Sequence, residues 1–360
     1  MQPQTIWNFS AGPAMLPQEV LLQAQKELLI WNNMGVSVME MSHRSPEFEA
    51  LAEEAKQDLR DLLNLPDEFE ILFTAGGAQA QFALIPMNLL QAEEVADYVI
   101  TGNWSQKAAN EAKRFAQINV AADTESLHFS SIPDVSTWKL NPAAKYLHYV
   151  SNETVHGVQF DVAPQVNKPL VVDMSSDFLS RPVNFSGIEL IYAGAQKNIG
   201  PAGLTVILIR KDLLAKCTER VPAVFSYPTL EKESSLANTP PTFVWYLASL
   251  VFKWLKRQGG LQVMQERNQH KAKILYQTID ESNLYVNKVD PRYRSKMNVI
   301  FDLKKEDLLP QFLAEAKLAG LLGLKGHKVR GGVRASIYNA MPVEGVQALI
   351  KFMQEFEQNI

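Results

Sequence analysis

The chain has 360 residues, 46% of them apolar, enough for a large core and more than one domain. Its 35 Lys and Arg against 39 Asp and Glu leave a net charge of −4 and a pI near 5.9, which argues against sequence-independent nucleic-acid binding. The single cysteine, Cys217, excludes a disulfide within the chain and fits a reducing, cytoplasmic setting.

The start, MQPQTIWNFSAGPAML, has no basic stretch followed by an apolar run, so no signal peptide is expected. Over residues 46–64 the apolar side chains of Phe48, Leu51, Ala52, Ala55, Leu59, Leu62 and Leu63 recur at helical spacing. FEILFT (69–74) then reads as a strand, AGGAQAQ as a turn, and a helix runs on towards Leu90. VADYVIT is a strand, followed by Gly102-Asn103, a helix over about 104–115 and a short strand near Ile118. YLHYV, PLVVD, IELIYAG and LTVILI are further strands bounded by turn residues. Strands alternating with helices imply an α/β sheet, mostly parallel. The link between IELIYAG and LTVILI is too short for a crossover helix, so those two strands should be antiparallel neighbours.

Residues 243–255, FVWYLASLVFKWL, are too short to cross a bilayer and are interrupted by Lys253, so they read as a buried or interface helix. Cys217, in LLAKCTER, reads as helical. After Gln258-Gly259-Gly260 the pattern changes: a long polar helix over about 262–279, strands at KMNVIFDL and RASIY, and helices near 305–319 and 342–358 indicate a smaller α+β domain. The expected division is a large domain over 16–258 and a small one formed by 1–15 with 259–360.

The chemistry gathers around YAGAQKNIGPAG, where Lys197 sits among small residues. PLVVDMSS ends a buried strand at Asp173, with room for one more strand before Lys197. An aspartate there is most often a turn former, and a lysine in such a loop is usually solvated. Together they match what pyridoxal phosphate needs: an amine for the Schiff base and a carboxylate at the ring nitrogen. GGAQAQ, between a strand and a helix, offers free N–H groups for a phosphate. It lacks the glycine pattern of dinucleotide and P-loop sites. Trp104, at another strand-to-helix junction, could stack on the ring, although a core tryptophan is the commoner role.

NFSAGPAMLP, MEMSHR, YAGAQKNIGPAG, NTPPTFVWYL and GGVRASIYNAMP, in that order along nearly the whole chain, resemble the phosphoserine aminotransferase family. The resemblance implies a fold-type I pyridoxal-phosphate enzyme with a large domain built on a mostly parallel seven-stranded sheet and a smaller α+β domain. It implies a homodimer with its sites at the interface and no nucleic-acid or membrane partner. The implied reaction exchanges the amino group between L-glutamate and 3-phosphohydroxypyruvate, giving O-phospho-L-serine and 2-oxoglutarate. The phosphohydroxythreonine step of pyridoxine synthesis is a second implied use.

Carried onto this chain, the resemblance makes Lys197 the covalent anchor and proton shuttle and Asp173 the partner of the ring nitrogen. Trp104 stacks on the ring and Thr154 hydrogen-bonds to it. Ala78, Gln79 and Gln196 hold the phosphate, with Asn238 and Thr239 reaching it from the other subunit. Arg334 grips the α-carboxylate. His43 and Arg44 face the substrate's distal anion, joined by His327 and Lys328 from the partner. Ala11 and Lys328 stand where the family usually has Ser and Arg, and Arg330 is a candidate substitute donor for Lys328. Both departures touch substrate recognition and leave the cofactor residues intact.

The alternatives are another fold-type I transaminase acting on a different oxo acid, a nucleotide-binding α/β protein using GGAQAQ, or a non-catalytic scaffold. A desulfurase would need a mobile cysteine near Lys197, and Cys217 is expected to lie away from it.

Overall fold

The computed structural model describes residues 5–218 and 221–360; residues 1–4 of the expected N-terminal part lie outside this set. In chain order, β1 (Trp7–Asn8), α1 (Gln18–Glu27) and α2 (Pro46–Leu63) precede the first α/β units: β2 (Phe69–Ala75), α3 (Gln81–Leu89), β3 (Val95–Ile100), α4 (Asn103–Ala112) and β4 (Gln117–Asp123). Strands β5 (Leu147–Val150), β6 (Asn152–Glu153), β7 (Val158–Gln159), β8 (Leu170–Asp173), β9 (Ile188–Gly194) and β10 (Leu204–Arg210) follow. Helices α5 (Lys211–Leu214), α6 (Tyr227–Lys232), α7 (Thr242–Arg257) and α8 (Gly260–Glu281) lead to β11 (Tyr285–Val286), β12 (Asn298–Leu303), α9 (Leu309–Leu318), β13 (Leu321–Leu322), β14 (Val333–Ser336) and α10 (Val343–Gln358).

Seven strands form the central sheet in the order β2-β10-β9-β8-β5-β3-β4. Only β10 runs against its neighbours, pairing antiparallel with both β2 and β9. The short 195–203 link explains this: it can only reverse the chain. The other strands therefore share one direction, and the C-terminal ends of β2, β3, β5, β8 and β9 meet at one edge. Their runs are largely apolar because helices cover both faces. Along β8, Leu170 and Val172 face one core and Val171 the other.

The apolar stripe of α2 enters the first core as the periodicity required. Ser45 caps this helix, its hydroxyl accepting from Phe48 N at 3.3 Å, and Asn64 ends it in the left-handed conformation. The apolar helix α7 is consumed by its own chain: Trp245 packs on Phe73 at 4.4 Å and on Phe48 at 5.9 Å, and nine of its residues are buried. It therefore offers little apolar surface to another subunit.

A three-stranded antiparallel sheet, β11-β12-β14, carries the remaining core with α8, α9 and α10. Phe9 is buried in that core, and β1 pairs in parallel with β13. Several boundaries differ from expectation. Helix α4 ends at Ala112, and β4 is a seven-residue strand rather than a short one. The 305–319 segment opens with a turn of 3₁₀ helix before α9. Cys217 lies beyond the end of the one-turn α5, not within a helix, because that helix closes at Leu214.

Candidate active site

The common edge of C-terminal strand ends is where open α/β sheets bind ligands. Strand β8 delivers Asp173 there, still largely buried, with its Oδ1 accepting from Ser175 N at 2.8 Å. Strand β9 ends at Gly194, and the loop after it carries Gln196 and Lys197. Gly194 N donates to Ser175 Oγ at 3.1 Å, which ties the two strand ends together.

Strand β2 ends in Gly76-Gly77, and a single 3₁₀ turn, Ala78–Ala80, opens α3. The N–H groups of Ala78 and Gln79 begin that turn and so lack intrahelical acceptors. A Cβ on Gly194 would lie 3.3 Å from Ala78 N and 2.8 Å from Gln196 Oε1. Its absence keeps this corner open to a ligand. Gln196 Oε1 is itself buried without a partner. Backbone amide nitrogens around a space cleared by glycine fit a phosphate, and Lys197 with Asp173 beside them fits the rest of pyridoxal phosphate.

Trp104 covers this space. The Lys197 ammonium lies 5.5 Å from its ring centroid. Its indole Nε1 donates to Thr154 Oγ1 at 2.8 Å, and its backbone N donates to Glu153 Oε2 at 3.0 Å. Glu153 also accepts from Ser105 N and Ser105 Oγ, both at 2.7 Å. Burial pushes its carboxyl above the usual range, while these donors and the hydroxyl pull the other way. Gly102 is required beside it, since a Cβ there would fall 2.7 Å from Glu153 Oε2. Glu153 was missed by sequence reasoning. In NET it reads as a solvated turn residue, and only the pairing of β6 beside α4 reveals its task.

Dense protein around the Lys197 amine lowers its pKa through desolvation; Asp173, Glu153 and Asp177 oppose that, and Arg334 reinforces it. Arg334, on β14, reaches across to donate from Nη1 to Thr154 O at 3.2 Å, and its Nε is buried without a partner. That unsatisfied donor faces the site from the other sheet. Burial lowers the guanidinium pKa.

The rim differs from expectation. His327 senses Arg334 and Lys107 of its own chain, which together with burial lower its pKa. His327 thus lies within electrostatic range of Arg334 in its own chain. Lys107, 4.7 Å from the Trp104 ring, was also missed, though its i+3 spacing from Trp104 on α4 is a usable signal. Arg44 does not join the Lys197 cluster: it is exposed and lines a separate cavity of about 890 Å³ with Lys56, Thr229 and Ala237. Asn238 and Thr239, adjoining Ala237, are exposed, as is Lys328. His43 is half-buried, with Nε2 lacking a partner. Arg330 is turned towards Asp302, to which each of its terminal nitrogens donates at 2.9 Å. Tyr338 hydroxyl donates to the Ala11 carbonyl at 2.8 Å.

A family model for class-V aminotransferases matches residues 6–349. A phosphoserine aminotransferase of Laribacter hongkongensis (strain HLHK9) is 55% identical, with 98% of each chain covered. The chain belongs to the phosphoserine aminotransferase family. A second relative in the family, from Hahella chejuensis (strain KCTC 2396), is 54% identical over 97% of each chain. The solved phosphoserine aminotransferase of Bacillus circulans subsp. alkalophilus superposes with a TM-score of 0.96 at 45% identity, covering 99% of both chains. A pyridoxal-phosphate-bound family structure from Trichomonas vaginalis gives 0.93 at 41%, covering 97% of this chain and 100% of that one. An alanine–glyoxylate aminotransferase from Nostoc sp., 17% identical with a TM-score of 0.77, shares the fold alone.

Proposed function

We propose that the Lys197 site transfers the amino group of L-glutamate to 3-phosphohydroxypyruvate, giving O-phospho-L-serine and 2-oxoglutarate. The protein is a pyridoxal-phosphate-dependent transaminase of serine biosynthesis by family. The observation that carries the site assignment is Lys197 beneath Trp104, with Asp173 one strand away and the Ala78 corner kept open by Gly194. That arrangement leaves a nucleotide-binding or scaffold role unsupported.

Pyridoxal phosphate, when bound, supplies an aldehyde carbon for the exchange of nitrogen and a ring that withdraws electrons. Ala78, Gln79 and Gln196 would hold its phosphate, Asp173 its ring nitrogen, Trp104 a ring face and Thr154 a ring substituent. Lys197 would anchor it. With its pKa depressed, Lys197 Nζ can take a proton from the substrate Cα and return it. Arg334 forks onto the α-carboxylate that both substrates share. His327 and Lys328, with Lys107 beside them, present positive charge to the distal anion.

Arg44 and His43, together with Asn238 and Thr239, complete the site from the partner subunit of a homodimer. The gathering of Arg44 and Ala237 in one cavity supports that grouping. So does the run of exposed apolar residues, Leu21, Leu22, Leu29, Ile30, Met34 and Met39, beside it in sequence. Domains over 16–258 and 1–15 with 259–360 place Arg334 and His327 on the smaller one. The same groups would accept phosphohydroxythreonine, which also carries an α-carboxylate and a phosphate. Among the described residues no helix is long and apolar enough to cross a membrane, and the part-buried free thiol of Cys217 suits a cytoplasmic setting.

The test is spectroscopic. Glutamate should bleach the bound cofactor's visible absorption and release 2-oxoglutarate, and 3-phosphohydroxypyruvate should restore it. Faster restoration by glyoxylate than by the phosphorylated acid would leave only a transaminase of other specificity.

A further inference from the structure

Behind Asp173 the sheet buries a histidine that transamination leaves unused. Asp173 lies opposite Tyr192 of β9, and His148 of β5 lies opposite Val171, two residues before Asp173. Side chains alternate along a strand, so Asp173, Tyr192 and His148 share one face. His148 Nε2 is 2.9 Å from the Tyr192 hydroxyl, which is also within hydrogen-bonding reach of the Asp173 carboxylate. The His148 ring stacks on Tyr98 at 4.6 Å with an interplanar angle of 21°. His148 and Tyr192 are fully buried, and His148 Nδ1 has no partner.

These facts fix the direction of the hydrogen bonds. Burial pushes the imidazole down to about 3, so it is neutral and carries one ring proton. As a carboxylate Asp173 can only accept, so the Tyr192 O–H donates to it. The Tyr192 oxygen then accepts from His148 Nε2–H, which leaves Nδ1 as a bare lone pair. The opposite tautomer would bury an unpartnered N–H and set the Tyr192 oxygen against the Asp173 oxygen, at a cost in both places. Around the imidazole the ionisable groups are Tyr98, Tyr192 and, beyond the latter, Asp173; burial raises both phenols.

We propose that His148 and Tyr192 are positioning residues for Asp173, a directed hydrogen-bond relay in which His148, as the Nε2–H tautomer, holds the Tyr192 hydroxyl and Tyr192 holds the carboxylate. Ser175 N fixes Oδ1 from the loop side, and Tyr192 fixes the carboxylate from within the sheet. The plane of the carboxylate is thereby set before any ligand arrives. The proposal rests on reading Asp173 as the partner of the cofactor's ring nitrogen.

The first arm of the test needs no cofactor. Nitrogen-15 spectra of histidine-labelled, cofactor-free protein should show His148 as the Nε2–H tautomer, neutral at pH 6. The Nδ1–H tautomer, or protonation near pH 6, would overturn the relay. The second arm titrates pyridoxal phosphate into variants whose melting temperatures match the parent. Tyr192→Phe should weaken cofactor binding on the order of tenfold and lower kcat, with both KM values nearly unchanged. His148→Gln, whose amide N–H can take the place of Nε2–H, should stay near the parent, whereas His148→Leu should fall as Tyr192→Phe does. The double change Tyr192→Phe with His148→Leu should be no worse than Tyr192→Phe alone. Equal effects of Gln and Leu at 148, or additive losses in the double variant, would sink the relay. If Tyr192→Phe does not fold, the tautomer and the two His148 variants still decide. Parent protein that fails to bind pyridoxal phosphate would refute the proposed function and leave the tautomer result standing.

Discussion

The cofactor end of the site and its rim are built on opposite plans. At the cofactor end, Asp173, Glu153 and Thr154 are buried at strand ends, and each side chain is held by hydrogen bonds to neighbours that are themselves held. At the rim, Arg44 and Lys328 are exposed on loops, and His327 is only part-buried. The cofactor end can fix atoms to fractions of an ångström because strand ends joined by a sheet cannot move independently. The rim supplies charge with little fixed direction. On the proposed reading, the two positions expected to depart from the family pattern, Ala11 and Lys328, both fall on the substrate side. Long charged side chains in water tolerate exchange more readily than a buried network does.

The sharpest break of this contrast is Lys197→Ala. Loss of the proton-transferring group should lower turnover by about 10²- to 10⁴-fold, and borohydride reduction followed by peptide mapping should find no pyridoxyl label. A label on another lysine in the parent protein would overturn the assignment.

Glu153→Ala comes next. Three donors to that carboxylate would lose their acceptor and a cavity would open, so unfolding in urea should cost about 3 kcal/mol or more. Pyridoxal phosphate retention should fall with it, because Trp104 loses its backbone anchor. A stability change within 0.5 kcal/mol, the range of ordinary surface substitutions, would mean that the buried network is not what holds Trp104.

Arg334→Ala should cost about 1.5–3 kcal/mol in kcat/KM, roughly 10- to 150-fold, for glutamate and 3-phosphohydroxypyruvate alike. It also carries a pH signature. The Arg334 charge lowers the Lys197 pKa, so its removal raises that pKa and shrinks the neutral fraction at a given pH. The pH at which cofactor attachment to the cofactor-free protein is half-maximal should therefore move upward. A downward move, or loss confined to one substrate, would contradict the role.

At the exposed rim, Arg44→Ala and Lys328→Ala should cost less, about 0.5–1.5 kcal/mol or roughly 2- to 12-fold, and more for the phosphorylated substrate than for glutamate. These losses should shrink in high salt. A loss as large as that of Arg334→Ala would show the rim to be as buried as the cofactor end once a partner subunit covers it.

The smallest effect is expected at Cys217. Burial pushes its thiol up to about 12, so almost no thiolate exists at pH 8 and iodoacetamide should react slowly. Cys217→Ser should leave transamination unchanged, as a desulfurase mechanism would not.

Much of the site can be read from local chemistry. An aspartate closing PLVVD, a lysine in a loop of small residues one strand later, and a glycine-rich strand-to-helix turn each declare themselves within about ten residues. Strand ends and helix starts are encoded by near neighbours, so the seven strands and the antiparallel β9–β10 turn were legible as well. Other features needed the assembled chain. The task of Glu153 depends on α4 lying beside β6; the partner of Arg330 is Asp302, 28 residues away; and α7 spends its apolar face on Phe48 and Phe73 of its own chain. His148 in YLHYV looks like any strand residue until β9 brings Tyr192 to it. The physical reason is range: backbone propensity and periodicity act over one or two turns, whereas burial, ion pairing and the direction of a hydrogen bond are set by whatever the folded chain brings into contact.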